Sequence, residues 1–321
     1  MNAEFRRRHD LVLATLKPLS EAASDAGGKF VFLGGSAVQA LLPEPPRLSI
    51  DLDAYTSLDP TALVQTLSPG YDITTKRSNL PGYRFFNAKN GATEIRIDLT
   101  TTPLPAEAVL EKEIGTKTGR FNVNIASPHY LLASKLTALS LGTIGRKIDQ
   151  QARFIKDFYD ANSLVTEYGA PETAWRLFES CTNSENALRN KAYTYAQVTH
   201  AAIYALVKGA PLNTGSPTTT GSIGDFGQLL LRGRADKVTL SMMSIRIAAY
   251  LNAYLTAGAA DAGDEIAQLE QDAAGNSLQP NVVDSYEAEL GRTEDGQFLE
   301  KLKVLAPKAL AYLYKARTHP A

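Results

Sequence analysis

Cysteine is nearly absent. The chain has one, Cys181, so no intrachain disulfide can form, and a thiolate zinc cluster or an iron–sulfur centre lacks ligands. The histidines, His9, His129, His200 and His319, show no pairing at metal-ligand spacing, and no His-Glu-x-x-His, P-loop or Gly-x-Ser-x-Gly motif occurs. Redox chemistry and hydrolytic triads therefore find no support. No run approaches the roughly eighteen apolar residues of a membrane span. The start, MNAEFRRRHD, lacks the apolar stretch that follows the basic part of a signal peptide, so a cytoplasmic protein with no membrane partner is expected. Charge of one sign is not in excess either: 33 Lys plus Arg against 34 Asp plus Glu leave a net charge of −1. There is no global attraction to nucleic acid, and any recognition of a polyanion falls to local clusters such as Arg6-Arg7-Arg8 or Arg146, Lys147, Arg153 and Lys156.

What is present suits a folded enzyme of more than one part. With 321 residues, 44% hydrophobic and 21% charged, the chain exceeds one compact core and predicts two domains, or one α/β module with a helical extension. Residues 4 to 26 read as an amphipathic helix with Leu11, Leu13, Leu16 and Leu19 among polar neighbours, closed by Gly27-Gly28. Phe30 to Leu33 form a short apolar strand ending at Gly34-Gly35, and Ser36 to Leu42 form a helix stopped by Pro43. From Leu48 the sequence alternates: Leu48, Ile50 and Leu52 point one way, Ser49, Asp51 and Asp53 the other. A short helix at 60–67 and strands at 71–77, 83–88, 93–101 and 120–125 follow, with Asp98 on the polar side of Ile95, Ile97 and Leu99. After Pro128 the pattern turns helical: 129–141, 146–165, 171–207, 236–257 and 281–316, broken by a polar loop at 211–222 and by Ala257 to Gly263. The fold class expected is α+β: an N-terminal α/β module with a mixed sheet, residues 1–128, followed by an α-helical C-terminal domain, residues 129–321.

The residues that carry chemistry follow one another in an informative order: Gly34-Gly35-Ser36, then Ser49-Ile50-Asp51-Leu52-Asp53, then Asp98. Glycines let backbone amides approach a phosphate at the positive end of the helix that starts near Ser36. Two carboxylates two residues apart on a strand can hold a divalent metal jointly, and Asp98 on a neighbouring strand completes an oxygen cage suited to Mg²⁺ or Mn²⁺. Singly, a Gly-Gly turn or an Asp-x-Asp strand is an ordinary surface feature. Together they predict nucleotidyl transfer from an NTP, with Ser49 a secondary phosphate contact or modification point. Lys135 is the one acidic or basic side chain between His129 and Leu141. It either reaches out to water or meets an anion.

This order resembles the minimal nucleotidyltransferase toxins of the AbiEii and MenT type, within the DNA polymerase β-like superfamily. That family carries a Gly-Ser or Gly-Gly turn, a Ser-x-Asp-x-Asp strand, a helical Lys and a later Asp, matched here by Gly35-Ser36, Ser49 to Asp53, Lys135 and Asp157. The last two lie 22 positions apart. The resemblance spans about residues 30–165 and leaves the region beyond about 170 unmatched. It implies a polymerase β-like fold and a catalytic set of Asp51, Asp53, Lys135 and Asp157, and it adds Lys135 to the nucleotide contacts expected from the residues themselves, Gly34, Gly35, Ser36 and Ser49; metal ligation by Asp51 and Asp53 agrees with it, and Asp98 remains the reading of strand alternation. It further implies that the helical domain brings Lys135 to the triphosphate and Asp157 to orient it. The acceptor it implies is RNA, the tRNA 3′ end, with translation blocked and a cognate antitoxin as partner. Read without the family, Asp157 is a surface acid one turn from Arg153, an i,i+4 pair contributing only about 0.3–0.5 kcal/mol.

Three other readings share parts of this pattern. An aminoglycoside-type nucleotidyltransferase shares the Gly-Ser and Asp-x-Asp elements. A non-catalytic nucleotide-binding scaffold has no need of three carboxylates on polar strand faces. A haloacid-dehalogenase-type phosphatase wants Thr or Val where Tyr55 stands.

Overall fold

A computed structural model describes residues 3–76, 78, 80–116, 119–146, 151–274 and 296–318. The chain divides into two compact units, Met1–Leu131 with Gln228–Gly233, and Leu132–Gly227 with Arg234–Ala321. The division falls inside a helix rather than at 128/129, and a six-residue segment far along the chain returns to the first unit.

The first unit is built on a seven-stranded mixed sheet of order β3-β4-β5-β2-β1-β7-β6. Its strands are β1 (Phe30–Leu33), β2 (Asp51–Thr56), β3 (Asp72–Lys76), β4 (Tyr83–Asn90), β5 (Thr93–Thr100), β6 (Val109–Thr116) and β7 (Gly119–Ala126). β1 runs antiparallel to β2 and parallel to β7, while β2 runs parallel to β5. Helix α1 (Ala3–Asp25) lies on one face. Its buried stripe is Val12, Leu16, Leu19 and Ala23, one step out of phase at its start from the leucine pattern expected, because Leu11 and Leu13 are only half-buried. Ile95, Ile97 and Leu99 of β5 are fully buried, and strand alternation leaves Arg96 and Asp98 on the other face. Helices α2 (Gly34–Leu41) and α3 (Pro60–Gln65) follow β1 and β2; Asp59 caps α3 by accepting from the Ala62 N–H at 2.8 Å.

Two strand expectations need correction. β2 begins at Asp51, not Leu48, because residues 46–48 pair instead with the returning segment: the Leu48 N–H donates to Leu229 O at 2.7 Å and the Leu231 N–H to Pro46 O at 2.8 Å. Ser49 is accordingly buried rather than on an open face. β6 is an additional strand at the sheet edge, whose Glu111-Lys112-Glu113 run suppresses a strand reading yet suits an edge that must not pair further.

The second unit is helical. α4 (Pro128–Ala138) continues into it from the first, followed by α5 (Gln151–Tyr168), α6 (Glu172–Arg189), α7 (Tyr195–Gly209), α8 (Thr220–Gly227), α9 (Lys237–Ala274), α10 (Gly296–Leu305) and α11 (Pro307–Thr318). α9 is the axis, packed by α5, α6, α7 and α11, and it kinks at Gly258, where φ is +79°, within the break expected at 257–263. Trp175 stacks on Tyr254 at 4.8 Å between centroids. Arg246 on α9 ties Asn162 and Thr166 of α5 to Glu270. Part of the helix expected over 281–316, together with Lys147 and His319, lies outside the described residues. Among the described residues no helix is long and apolar enough to cross a membrane.

Candidate active site

The turn between β1 and α2 is fitted onto β2. Gly34 has φ +72°, and a Cβ there would stand 2.0 Å from Asp53 Oδ2, so both the backbone conformation and the space require glycine. At Gly35 a Cβ would meet Arg47 Nη2 at 2.8 Å and Ser49 Oγ at 2.9 Å. Ser36 Oγ donates to Asp51 O at 2.6 Å. The sequence-predicted group Gly34, Gly35, Ser36, Ser49, Asp51 and Asp53 is therefore brought together around the start of α2. No side chain caps that helix, and its first amides and dipole favour an anion. Ser49 is held from its other side by His9, whose Nδ1 lies 2.9 Å from Ser49 O.

Register places the third carboxylate beside the first two. Asp53 is the cross-strand neighbour of Asp98, which neighbours Phe85, and in the adjacent row Asp51 neighbours Arg96, which neighbours Asn87. Sequence reasoning assigned nothing to Arg96. Its Nε donates to Asp98 Oδ1 at 2.5 Å, and its guanidinium lies over the Phe85 ring at 4.6 Å. Burial works against that charge, but the hydrogen bond and charge of Asp98, with the charges of Asp51 and Asp53, outweigh it and hold Arg96 above its ordinary pKa. The donor chemistry fits a hard divalent cation, since carboxylate oxygens on one sheet face are what Mg²⁺ takes. As the side chains stand, no three Asp, Glu, His or Cys among the described residues converge on one metal position.

Lys135 and Asp157 meet within the second unit. Lys135 Nζ donates to Asp157 Oδ1 at 2.9 Å and pairs with Asp160 Oδ2 at 2.9 Å. Arg146 pairs with Asp157 through Nε, and its Nη2 donates to Asp157 Oδ1 at 3.3 Å. Burial pushes the Asp157 carboxyl up, but Lys135 and Arg146 overcome it and hold the pKa far below the usual carboxylate range. Lys135 thus meets anions rather than water. The surface pairing of Asp157 with Arg153 does not describe this acid, which is buried while Arg153 is exposed. Asp160 was missed; its one sequence signal is its place one helical turn after Asp157, on the same side of α5.

Comparison with known proteins bears on these residues. No curated protein matches the chain. A solved nucleotidyltransferase-like antigenic protein from Paracoccidioides brasiliensis is similar at TM-score 0.35 and 15% identity over 58% of this chain and 95% of its own. The antibiotic-resistance factor ANT(2'')-Ia gives TM-score 0.37 and 17% identity over 55% and 94%, and an apo CCA-adding enzyme TM-score 0.27 and 11% identity over 95% and 81%. The family model of the nucleotidyl transferase AbiEii toxin of type IV toxin–antitoxin systems matches residues 19–206, a span that takes in the Gly34–Ser36 turn, the carboxylate strands, Lys135 and Asp157. The chain belongs to the AbiEii family of nucleotidyltransferase toxins.

Proposed function

We propose that this nucleotidyltransferase is metal-dependent and transfers NMP from an NTP to a hydroxyl of RNA, the tRNA 3′ end, blocking translation in the cytoplasm until a cognate antitoxin intervenes. The observation that carries the reading is the Gly34-Gly35-Ser36 turn fitted against Asp53 and bonded to Asp51 O, with Asp98 one strand away. The α2 amides bind triphosphate oxygens, and Ser49 lines the same turn. Asp51, Asp53 and Asp98 are the residues that would hold Mg²⁺ or Mn²⁺. When bound, such a cation lowers the pKa of the attacking hydroxyl and neutralises charge on the departing pyrophosphate. The RNA hydroxyl oxygen forms a bond to the α-phosphorus, the bond from that phosphorus to the α–β bridging oxygen breaks, and pyrophosphate leaves with the electron pair. The hydroxyl proton goes to solvent or to a carboxylate of the face. By family resemblance Lys135 serves the triphosphate and Asp157 orients it, and the direct bond between them supports the orienting role.

The test is incubation of the protein with each labelled NTP, Mg²⁺ and total RNA, followed by a denaturing gel. An RNA of tRNA size should take up label, and folded Asp51→Asn should reduce transfer by at least about a hundredfold, since it removes a cation-holding charge without disturbing the core. Undiminished labelling by Asp51→Asn, or in excess chelator, defeats the mechanism. Label on an aminoglycoside panel in place of RNA would redirect the acceptor to small molecules.

A further inference from the structure

The carboxylate face carries, among the described residues, a charged group that the reaction as derived does not use. Arg96 stands in the row between Asp51 and Asn87, its Nε bonded to Asp98 and its guanidinium on Phe85. Its side chain is 34% exposed and that of Asp98 18% exposed, so the pair is neither a loose surface contact nor sealed in the core. The oxygen of Asp98 that accepts from Arg96 belongs to the carboxylate the metal set needs, and no three-ligand cluster is assembled among the described residues as they stand.

We propose that Arg96 is a positioning residue that holds the third arm of the carboxylate set: it keeps Asp98 in a guanidinium pair while no divalent cation is bound and yields it when one binds. The three-carboxylate set is then completed by metal binding rather than standing ready beforehand. Phe85 makes this exchange feasible, because a guanidinium that lets go of Asp98 keeps its seat on an aromatic face and is not cast loose. The cost of holding Asp98 back is weaker intrinsic metal affinity, since a guanidinium bonded to one of the carboxylates that would hold the cation repels it. The inference rests on the metal-dependent reading above.

The experiment is a Mn²⁺ titration of the full-length chain without nucleotide, followed by electron paramagnetic resonance, with circular dichroism melts alongside. Arg96→Gln should bind Mn²⁺ about tenfold more tightly than wild type, the size expected for removing a unit charge near a divalent ion in a solvated site. Arg96→Lys, which keeps the charge, should stay close to wild type. Adding Asp98→Asn to Arg96→Gln should cancel the gain. The sign is diagnostic, because a residue that merely buttressed the strands would weaken metal binding when removed. Unchanged or weaker Mn²⁺ binding in folded Arg96→Gln, with binding abolished by Asp51→Asn, overturns the role of Arg96 and leaves the carboxylate site standing. Wild-type Mn²⁺ binding that Asp51→Asn does not reduce overturns both. If Arg96→Gln fails to fold, Arg96→Met keeps an extended stem against Phe85 and carries the same comparison.

Discussion

Gly34 joins backbone conformation to chemistry within one residue. Alanine there would have to adopt φ +72° with its Cβ 2.0 Å from Asp53 Oδ2, so Asp53 must swing away or the turn must open. The conformational strain alone is about 1–2 kcal/mol. Gly91 serves as a control, because it also has positive φ, at +58°, but a Cβ there meets nothing within 4 Å. Gly91→Ala should therefore lower the melting temperature modestly and Gly34→Ala by more, because its Cβ also crowds the Asp53 stem, while only Gly34→Ala loses NTP turnover, by at least about tenfold. Equal activities in the two variants would separate the glycine from the carboxylate. The Gly-Gly pair was visible in the sequence as a turn. That its first member makes room for Asp53 was not, because two segments nearly twenty positions apart meet there only after β1 and β2 pair.

Elements made mainly from local patterns were the most legible. β1, β4 and β5 and the helix after Gly34-Gly35 fall within a few residues of where composition and alternation put them, since each carries its own hydrophobic period. β6 escaped because an edge strand has little apolar burial to record. β2 starts later than its alternation suggests because residues 48–50 continue the strand's period while the chain from Pro46 to Leu48 pairs with a distant segment. Lys135 reads from its own surroundings as open between water and an anion, and by resemblance as a triphosphate contact; in the structure its ammonium pairs with Asp157 and Asp160 of α5 and so also ties two helices together. Lys135→Ala would leave Asp157 and Asp160 buried with less countercharge, a loss expected to destabilise the protein by about 3–5 kcal/mol. Adding Asp160→Asn should recover part of it, a coupling that thermal or denaturant unfolding of the single and double variants reads directly. The sign of the pH dependence is fixed by the depressed pKa of Asp157. Its contribution is complete above the unfolded carboxylate pKa of about 3.9 and is lost as the pH falls below that value toward the folded one. Wild type and Asp157→Asn should differ most in stability at neutral pH and converge in acid, and a gap that widened below pH 4 would contradict the pairing.

At the scale of the whole molecule, the first unit does not close on its own stretch of sequence. Gln228–Gly233 belongs to it, and this strap bonds to Pro46 and Leu48 while Arg232 pairs with Glu44. The loop it grips delivers Arg47 and Ser49 to Gly35, so a segment encoded after most of the helical unit fixes the floor of the nucleotide turn. Nothing in its own composition marks it, so no element is expected there from the sequence. In the intact chain, Leu231→Pro removes the N–H that Pro46 O accepts and forces the residue before it away from its present choices. Hydrogen exchange at the Leu48 amide, now bonded to Leu229 O at 2.7 Å, should accelerate by about tenfold or more as the strap loosens. NTP turnover should fall with it, because Gly35 then loses the side chains packed against it. The helices of the second unit make none of these bonds, so amides of α5 to α7 should exchange at wild-type rates. Slow exchange at Leu48 with full turnover in Leu231→Pro would mean that the loop holds its place without the strap. Acceleration throughout both units would mean that the substitution had unfolded the protein rather than released one segment.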